Sequence, residues 1–301
     1  MRGNRQIRSG PCSGRSIRGY VASLSALGAV AMTALLGISS QEIAERVSLD
    51  HFDAVQSPFG PATIPAAIAE PQLSVSMIGD SWISNSKMDD PMRQALVDSG
   101  LAHVSVKGIG EGGATSRRIF RNLISEGGAF SSASTLSDPA VEYCIVIAGV
   151  NDSAQHLGPE FYSHHVTEIA RVLVAHGVRP LIVELPEYGI EAVHASRGAL
   201  GWTKDKLFSL LFDAGEIDVV KKYRAHLRER LADAGLADQV QLVAFAPVVE
   251  DYDGAQGLYA DPAHLNELGR ARLARHLVEV LAREMERSKY LEERPVRVAS
   301  R

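Results

Sequence analysis

The sequence predicts a doubly wound, three-layer α/β/α sandwich built on a five-stranded parallel sheet. Two observations favour this fold. Short apolar runs alternate with amphipathic stretches from residue 72 onwards, and turn-forming or glycine-rich segments follow the apolar runs. Strands that alternate with helices form parallel sheets, because each helix carries the chain back to the same end of the sheet. With 301 residues, of which 46% are hydrophobic and 22% charged, the chain can bury one such core and carry appendages.

Each element is predicted from its local pattern. The predicted strands are short, largely apolar runs: Leu73–Ile78, His103–Val106, Val141–Ala148, Arg179–Glu184 and Gln239–Phe245. The predicted helices carry apolar residues at helical spacing: Pro91–Asp98, Ser116–Ser125, Glu160–His176, Glu216–Ala234 and Asn266 to about Arg287. In such sheets the functional crevice lies beyond the carboxyl ends of the strands, so the residues that follow each strand are the candidates for chemistry.

The N-terminus is predicted to enter a membrane and to place the rest of the chain outside the cytoplasm. Five arginines and no acidic residue precede residue 20, and residues 20–39 carry no charge. An α-helix of about 20 apolar residues spans a bilayer, and the arginines favour a cytoplasmic N-terminus. A cleaved signal peptide is the alternative, since small residues lie at 29–31 and 37–40. An uncleaved anchor is favoured because the apolar run exceeds the ~7–15 residues of a signal-peptide core.

The chain is therefore divided into four segments. A basic N-terminus with the membrane segment covers 1–40, a proline-containing linker covers 41–71, the predicted domain covers 72–288 and a polar tail covers 289–301. We expect an exported protein, periplasmic or at the cell surface, anchored by residues 20–39. The net charge of −5 leaves no excess of basic residues to neutralise phosphates, which argues against nucleic acid as a partner.

The first and last strand exits carry residues that suit nucleophilic catalysis. Gly79, Asp80 and Ser81 follow the first predicted strand, where a small residue and a turn former allow the serine to project into the crevice. Asp261 and His264 lie just before the last helix, close enough in sequence for the carboxylate to orient the imidazole. The structural alternative for Asp80 and Ser81 is a turn or a helix cap. The alternative for the second pair is that Asp261 caps the last helix and His264 is a surface residue.

The two exits between them carry groups that could bind an oxyanion. The glycine-rich stretch 107–116 can present backbone N–H groups beside a helix N-terminus. Asn151 follows the third strand, and an amide donor at such a point is worth roughly 3–4 kcal/mol to an oxyanion. The alternatives are a flexible loop capped by Thr115 or Ser116, and a turn in which Asp152 acts as a cap.

Together the four blocks, GDS, a glycine-rich turn, GxND and DxxH, resemble those of the SGNH or GDSL hydrolase family, and they span nearly the whole region 73–287. The resemblance implies a flavodoxin-like fold and hydrolysis of ester bonds without a metal or an organic cofactor. It also implies that Ser81 is the nucleophile, His264 the base and Asp261 its acidic partner.

By the same resemblance, the oxyanion hole consists of the N–H groups of Ser81 and Gly113 and the side-chain amide of Asn151. The glycine block is richer here than in most members of the family. Gly110 and Gly112 therefore compete with Gly113 for the role of the backbone donor.

The expected substrate is an acylated carbohydrate or polysaccharide that loses a short acyl group, acetyl above all. Four residues are predicted to line the substrate site: Trp82, Glu187, Tyr188 and Trp202. Trp82 and Trp202 are expected to do so by stacking on a sugar. One alternative is a glycan O-acyltransferase. Another, from a different class, is a non-catalytic protein of the same fold that binds glycans or assists their assembly.

Three histidines lie within one predicted helix: His164, His165 and His176. Their spacing does not match HExxH, and no carboxylate pattern accompanies them, so a metal site is not indicated. We interpret them as part of a solvent-facing helix surface.

Overall fold

The structure, a computed structural model, describes residues 73–189, 220–245 and 256–292, together with Gly198, Thr203 and Leu207. The predicted membrane segment, the linker, Trp202 and residues 293–301 lie outside these ranges. The strands of the structure are, in chain order, β1 (Ser74–Gly79), β2 (Ser105–Gly110), β3 (Val141–Ile147), β4 (Arg179–Val183) and β5 (Gln241–Val243).

All five strands are parallel and form one sheet in the order β2-β1-β3-β4-β5. The chain first adds β2 on one side of β1 and then adds β3, β4 and β5 on the other side. The direction of winding therefore reverses between β1 and β3, which is the point where open α/β sheets leave a crevice. The predicted sheet of five parallel strands is confirmed within the described residues.

The described helices lie between these strands and after the last of them. Seven α-helices are described: α1 (Asp89–Asp98), α2 (Ser116–Ile124), α3 (Ser134–Ser137), α4 (Val150–Ala154), α5 (Pro159–Ala175), α6 (Val220–Asp233) and α7 (Glu267–Glu292). Short 3₁₀ turns cover Ser84–Ser86 and Gln256–Leu258. Within the described ranges, no helix is long and apolar enough to cross a membrane.

Helices cover both faces of the sheet. α1 packs against α7 on one face, whereas α5 packs between α2 and α6 on the other. Right-handed crossovers produce this arrangement when the winding direction reverses within a parallel sheet. The central strands β1 and β3 are consequently buried on both faces, and they read as nearly continuous apolar runs.

One strand differs from the prediction. β2 was expected at His103–Val106, followed by a glycine-rich turn from residue 107, but it runs from Ser105 to Gly110. A Cβ on Gly108 would lie 2.6 Å from Asp89 Oδ1, and one on Gly110 would lie 2.6 Å from the backbone nitrogen of Ser84. These glycines therefore allow β2 to pass close beneath neighbouring segments, and they do not mark a turn.

The short elements were not predicted. α3 and α4 contain four and five residues, too few to show a helical period in the sequence. β5 is shorter than predicted because it pairs with β4 over only three positions, Gln241 to Val243. The last helix continues to Glu292, beyond the predicted end near Arg287.

Candidate active site

A tight turn at the carboxyl end of β1 presents Ser81. The Asp80 carbonyl accepts hydrogen bonds from the N–H groups of Ile83, at 3.2 Å, and Ser84, at 3.0 Å. The Asp80 carboxylate accepts the N–H of Trp82 at 3.0 Å. Ser81 lies at the outer side of this turn and is only partly buried. Its hydroxyl is therefore held at the mouth of the crevice, where the sequence placed it.

His264 and Asp261 meet Ser81 at this point. The Nε2 atom of His264 lies 2.9 Å from Ser81 Oγ, although the two residues are 183 positions apart. The Nδ1 atom lies 2.9 Å from Asp261 Oδ2 and 3.0 Å from Oδ1. A carboxylate only accepts hydrogen bonds, so Nδ1 carries the hydrogen and Nε2 is free to accept the Ser81 hydroxyl hydrogen. The structure thus brings all three predicted residues together in one hydrogen-bonded chain.

Backbone groups hold Asp261 in place. Its Oδ1 accepts the N–H groups of Ala263 and His264, both at 2.9 Å. Partial burial by itself favours a higher pKa for Asp261. The hydrogen bonds from the Ala263 N–H and the His264 side chain have the larger combined effect, so the pKa of Asp261 lies below its usual value. The carboxyl group therefore stays ionised, as a partner of an imidazolium must.

Trp82 connects the two loops that carry Ser81 and His264. Its indole Nε1 donates to the Ala263 carbonyl at 2.9 Å, and its ring packs on Phe245 and Tyr259 with centroids 5.5 and 6.4 Å away. Only 4% of the residue is exposed. The prediction that Trp82 lines the site is compatible with this position. The expected stacking of its ring on a sugar stays a prediction, with Phe245 and Tyr259 packed on parts of that ring.

The segment after β4 contacts the loop that carries His264. The Tyr259 hydroxyl donates to the Glu187 carbonyl, and Gly189 N–H donates to the Pro262 carbonyl at 2.8 Å. The Glu187 carboxylate pairs with Arg224.

Tyr188 is also a support residue. It is 4% exposed, and its hydroxyl lies 2.8 Å from Ser153 Oγ. Glu187 and Tyr188 thus contact other parts of the protein, and their substrate-lining role stays a prediction. Trp202 lies outside the described residues.

Hydrogen bonds connect the turn at residues 111–114 with Asn151 and Asp152 of the GxND block. Gly113 has a φ of 79°, as required at the third position of a type II turn, in which Ala114 N–H donates to Glu111. Asn151 Nδ2 donates to the Ala114 carbonyl at 2.9 Å. Asp152 accepts the N–H of Ser116 at 2.9 Å and caps α2.

This arrangement bears on the choice among the three glycines. Gly110 lies within β2, paired with Gly79 of β1, whereas Gly112 and Gly113 lie in the turn beyond the strand. The Asn151 amide has a second N–H that its bond to Ala114 leaves available. Gly113 therefore lies next to Ala114, the residue that Asn151 contacts, and the strands β2 and β3 that lead to the two groups flank β1.

Two fully buried carboxyl groups lie beneath the site. Burial raises the pKa of Asp80 to about 7, with a smaller contribution from the charge of Asp152, and the hydrogen bond from Trp82 opposes the rise. Burial also raises the pKa of Asp152 to about 6, against the bonds from Ser116. Asp80 Oδ2 has no hydrogen-bond partner within the described part of the chain. A charge on Asp80 is therefore costly at this position.

A pocket of about 360 Å³ opens beside Ser81. Its walls come from two segments, the loop after β1 and the loop that leads into α7. The lining residues are Ser81, Trp82, Lys87, Met88, Ala260, Asp261, His264, Leu265 and Arg270. The sequence analysis did not identify Lys87, Met88, Leu265 or Arg270. Their nearness in sequence to Ser81 and His264 was the signal that could have found them.

The histidines of α5 also differ from the prediction. His164 and His165 are 9% and 3% exposed, so they do not belong to a solvent-facing surface. α5 is covered by α2 and α6, and Arg230 of α6 lies 3.0 Å from His164 Nδ1. Within the described part of the chain, no three His, Cys, Asp or Glu side chains are placed to hold a metal ion.

This chain is similar to known proteins in its three-dimensional structure. A scan against models of protein families and a search of curated protein sequences give no match. Among solved structures, 56 chains match. A lipase/acylhydrolase from Enterococcus faecalis is 13% identical over 69% of this chain and 95% of that chain, with a TM-score of 0.51. An acetyl xylan esterase is 14% identical over 69% and 99%, with a TM-score of 0.49. A GDSL-like lipase from Bacteroides thetaiotaomicron is 13% identical over 73% and 94%, with a TM-score of 0.45.

The likeness to the Enterococcus faecalis protein concerns the fold. It confirms the three-layer α/β/α architecture that the sequence predicted and that the resemblance to SGNH hydrolases implied. At 13% identity the likeness carries no information on substrate, and one fold supports many activities.

The buried Asp80 carboxyl makes stability depend on pH in a specific way. Its pKa of about 7 exceeds the usual value near 4, so the folded state binds this proton more tightly than the unfolded state. Its contribution to stability is complete below about pH 4 and is lost as pH rises through 7. Asp80→Asn keeps the shape without the charge, so the fall in the free energy of unfolding from pH 4 to 8 should shrink by roughly 1–4 kcal/mol.

Urea denaturation at several pH values between 4 and 8 measures this difference. Asp90→Asn is the matched control, because the Asp90 side chain is 87% exposed. The control should follow the wild-type curve. An unchanged pH dependence in Asp80→Asn would show that folding does not raise the pKa of Asp80.

Proposed function

We propose that this protein is an exported serine esterase that removes short acyl groups, acetyl above all, from a carbohydrate. The observation that carries the proposal is the chain of hydrogen bonds from Asp261 through His264 to Ser81, at 2.9 Å for each link, beside an open pocket. An accessible serine hydroxyl held against an imidazole that a carboxylate orients is the arrangement that acyl transfer through a serine requires.

In the first half of the reaction, His264 Nε2 takes the hydroxyl proton as Ser81 Oγ attacks the carbonyl carbon of the ester. The imidazole becomes an imidazolium, which the Asp261 carboxylate stabilises through Nδ1. His264 then gives this proton to the oxygen of the departing alcohol. The C–O bond of the ester breaks, and the acyl group remains on Ser81.

In the second half, His264 activates a water molecule that attacks the acyl-enzyme. The carboxylic acid leaves, and the proton returns to Ser81. The same base serves both halves because each proton transfer takes place at Nε2.

The tetrahedral intermediates of both halves carry a negative oxygen. We assign its donors to the N–H groups of Ser81 and Gly113 and to the free N–H of the Asn151 amide. The turn of Gly113 and the amide of Asn151 are held against each other by the bond to Ala114, at 2.9 Å. Donors that are fixed before the reaction need no reorganisation when the charge develops, which is the source of their catalytic effect.

The substrate is assigned from the pocket. Its volume of about 360 Å³ is at the small end of the ~300–1,000 Å³ that ligand pockets span. Five of its nine lining residues are polar or charged: Ser81, Lys87, Asp261, His264 and Arg270. A short acyl group on a polar alcohol such as a sugar suits these walls better than a long alkyl chain does.

Substitution of the three hydrogen-bonded residues tests the chemistry. Ser81→Ala and His264→Ala should lower kcat/KM for an activated acetyl ester by about 10⁴-fold or more, because these two groups make and break bonds. Asp261→Asn should lower kcat/KM by a factor roughly 10- to 100-fold smaller, since the carboxylate only orients the imidazole and stabilises the imidazolium. Circular dichroism checks that each variant is folded.

Covalent labelling with a fluorophosphonate provides a second measurement. The wild-type protein should be labelled and Ser81→Ala should not. Ser99→Ala is the control, because Ser99 is an exposed serine at the end of α1. Wild-type hydrolysis by a folded Ser81→Ala variant would end the proposal of a serine hydrolase.

A series of esters tests the acyl group. We expect kcat/KM to fall from acetyl to decanoyl esters of one alcohol, because long chains extend beyond the small pocket. Acetylated polysaccharide should release acetate, measured enzymatically. Faster turnover of the long chains, with no acetate from the polysaccharide, would assign the protein to lipid or thioester substrates. Transfer of acetyl to a sugar acceptor in preference to water would indicate an acyltransferase.

The location is proposed from the sequence. We assign the uncharged segment 20–39 and the arginines before it to an uncleaved membrane anchor. Cell fractionation should place the protein in a membrane fraction that high salt does not release, and mass spectrometry should find the N-terminal region intact. A soluble mature protein that begins near Ser40 would contradict the anchor and leave export in place.

A further inference from the structure

The pocket beside Ser81 carries two cationic side chains that ester hydrolysis does not use. Lys87 and Arg270 both line it. Lys87 follows the short 3₁₀ turn at Ser84–Ser86, whereas Arg270 lies on the first turn of α7. The two cations therefore reach the pocket from the two segments that carry Ser81 and His264, respectively.

Arg270 is positioned but not neutralised. Its Nη1 donates to the Leu265 carbonyl at 2.8 Å, which fixes the direction of the guanidinium. Among the described residues it forms no ion pair, and its partly buried side chain keeps four further N–H groups. A planar guanidinium with free N–H groups is suited to bind a carboxylate or phosphate with two parallel hydrogen bonds.

Lys87 is exposed, and its ammonium group has no hydrogen bond or ion pair within the described part of the chain. It lines the same pocket as Arg270. A flexible ammonium at the rim can follow an anionic group on the ligand, although an exposed charge contributes less than a buried one.

The single carboxylate among the lining residues does not balance these cations. It belongs to Asp261, whose oxygens accept the backbone N–H groups of Ala263 and His264 and the imidazole Nδ1. With His264 neutral, the described walls thus carry one positive charge in excess, and neither cation is in an ion pair with a described residue, on a chain whose formal net charge is −5. Such a local excess attracts anionic ligands within the range that salt does not screen.

We propose that the ester substrate carries an anionic group close to the scissile bond, and that Lys87 and Arg270 bind this group. The substrate class is an acylated acidic sugar, in which the anion is the carboxylate of a uronate or a phosphate on the ring. This inference rests on the proposed function, because it names the alcohol part of the same ester. Lys87 and Arg270 act in it as residues that determine substrate specificity.

Three acetylated sugars with one ring and one acetyl position test the inference: a methyl glucoside, the matching methyl glucuronide and the matching methyl glucoside 6-phosphate. At low salt we expect kcat/KM for one or both anionic sugars to exceed that for the neutral sugar by about tenfold. In about 1 M salt the ratio should approach one, because the Debye length falls to roughly 3 Å. The two anionic substrates distinguish carboxylate from phosphate.

Variants connect this preference to the two cations. Lys87→Gln and Arg270→Gln should each reduce the anionic-to-neutral ratio of kcat/KM several-fold, and the double variant should bring it to about one. Lys87→Glu should lower the ratio further through repulsion. Lys221→Gln, at an exposed lysine of α6, is the matched control and should keep the wild-type ratio.

Binding to the folded Ser81→Ala protein separates failure of this inference from failure of the proposed function. Calorimetry should show tighter binding of methyl glucuronide or methyl glucoside 6-phosphate than of methyl glucoside, and the difference should disappear in the Lys87→Gln, Arg270→Gln background. If no ester is hydrolysed but this difference is present, the anion site stands and the esterase proposal falls. Equal kcat/KM for all three sugars, or equal binding of all three ligands, would overturn the inference.

Discussion

The geometry of the site depends on one hydrogen bond between two loops. Trp82 Nε1 donates to the Ala263 carbonyl at 2.9 Å, and these residues are the immediate neighbours of Ser81 and His264. Because their neighbours are fixed to each other, Ser81 Oγ and His264 Nε2 can stand 2.9 Å apart across 183 positions of sequence. The indole is almost fully buried, so a loss of its N–H would leave the Ala263 carbonyl without its partner in a poorly hydrated place.

The turn that carries Ser81 includes a buried carboxyl group that is energetically unfavourable when it is charged. Asp80 orients the Trp82 N–H but is fully buried, and its second oxygen has no partner among the described residues. Asp152 is buried as well, and it caps α2 so that the glycine turn lies against Asn151. Folding thus keeps two carboxyl groups in surroundings that disfavour their charge. Both carboxyl groups hold segments of the site in place. Their unfavourable burial therefore occurs where the catalytic side chains must be positioned to a few tenths of an ångström.

Much of the fold and of the candidate site could be predicted because parallel strands share one carboxyl edge. The alternation of apolar runs and amphipathic stretches was sufficient to predict the elements in chain order. Because residues that follow parallel strands lie at one edge of the sheet, it also predicted that Ser81, Asn151 and His264 lie close together. The ends of the strands were predicted less accurately. Gly108 and Gly110 looked like a turn in the sequence, although their small size serves a close approach of β2 to the loops beside it.

The sequence by itself determined which residue types stand at the strand exits, and so determined the candidate nucleophile, base and acid. Only the tertiary structure decided what surrounds the other side chains. Trp82 became a connection between loops, Tyr188 a buried support and His165 a core residue of α5, while Lys87 and Arg270 came to share one pocket. The physical reason is that a periodic pattern fixes directions within a helix or a strand. The burial and charge environment of a loop side chain depend on segments far away in sequence.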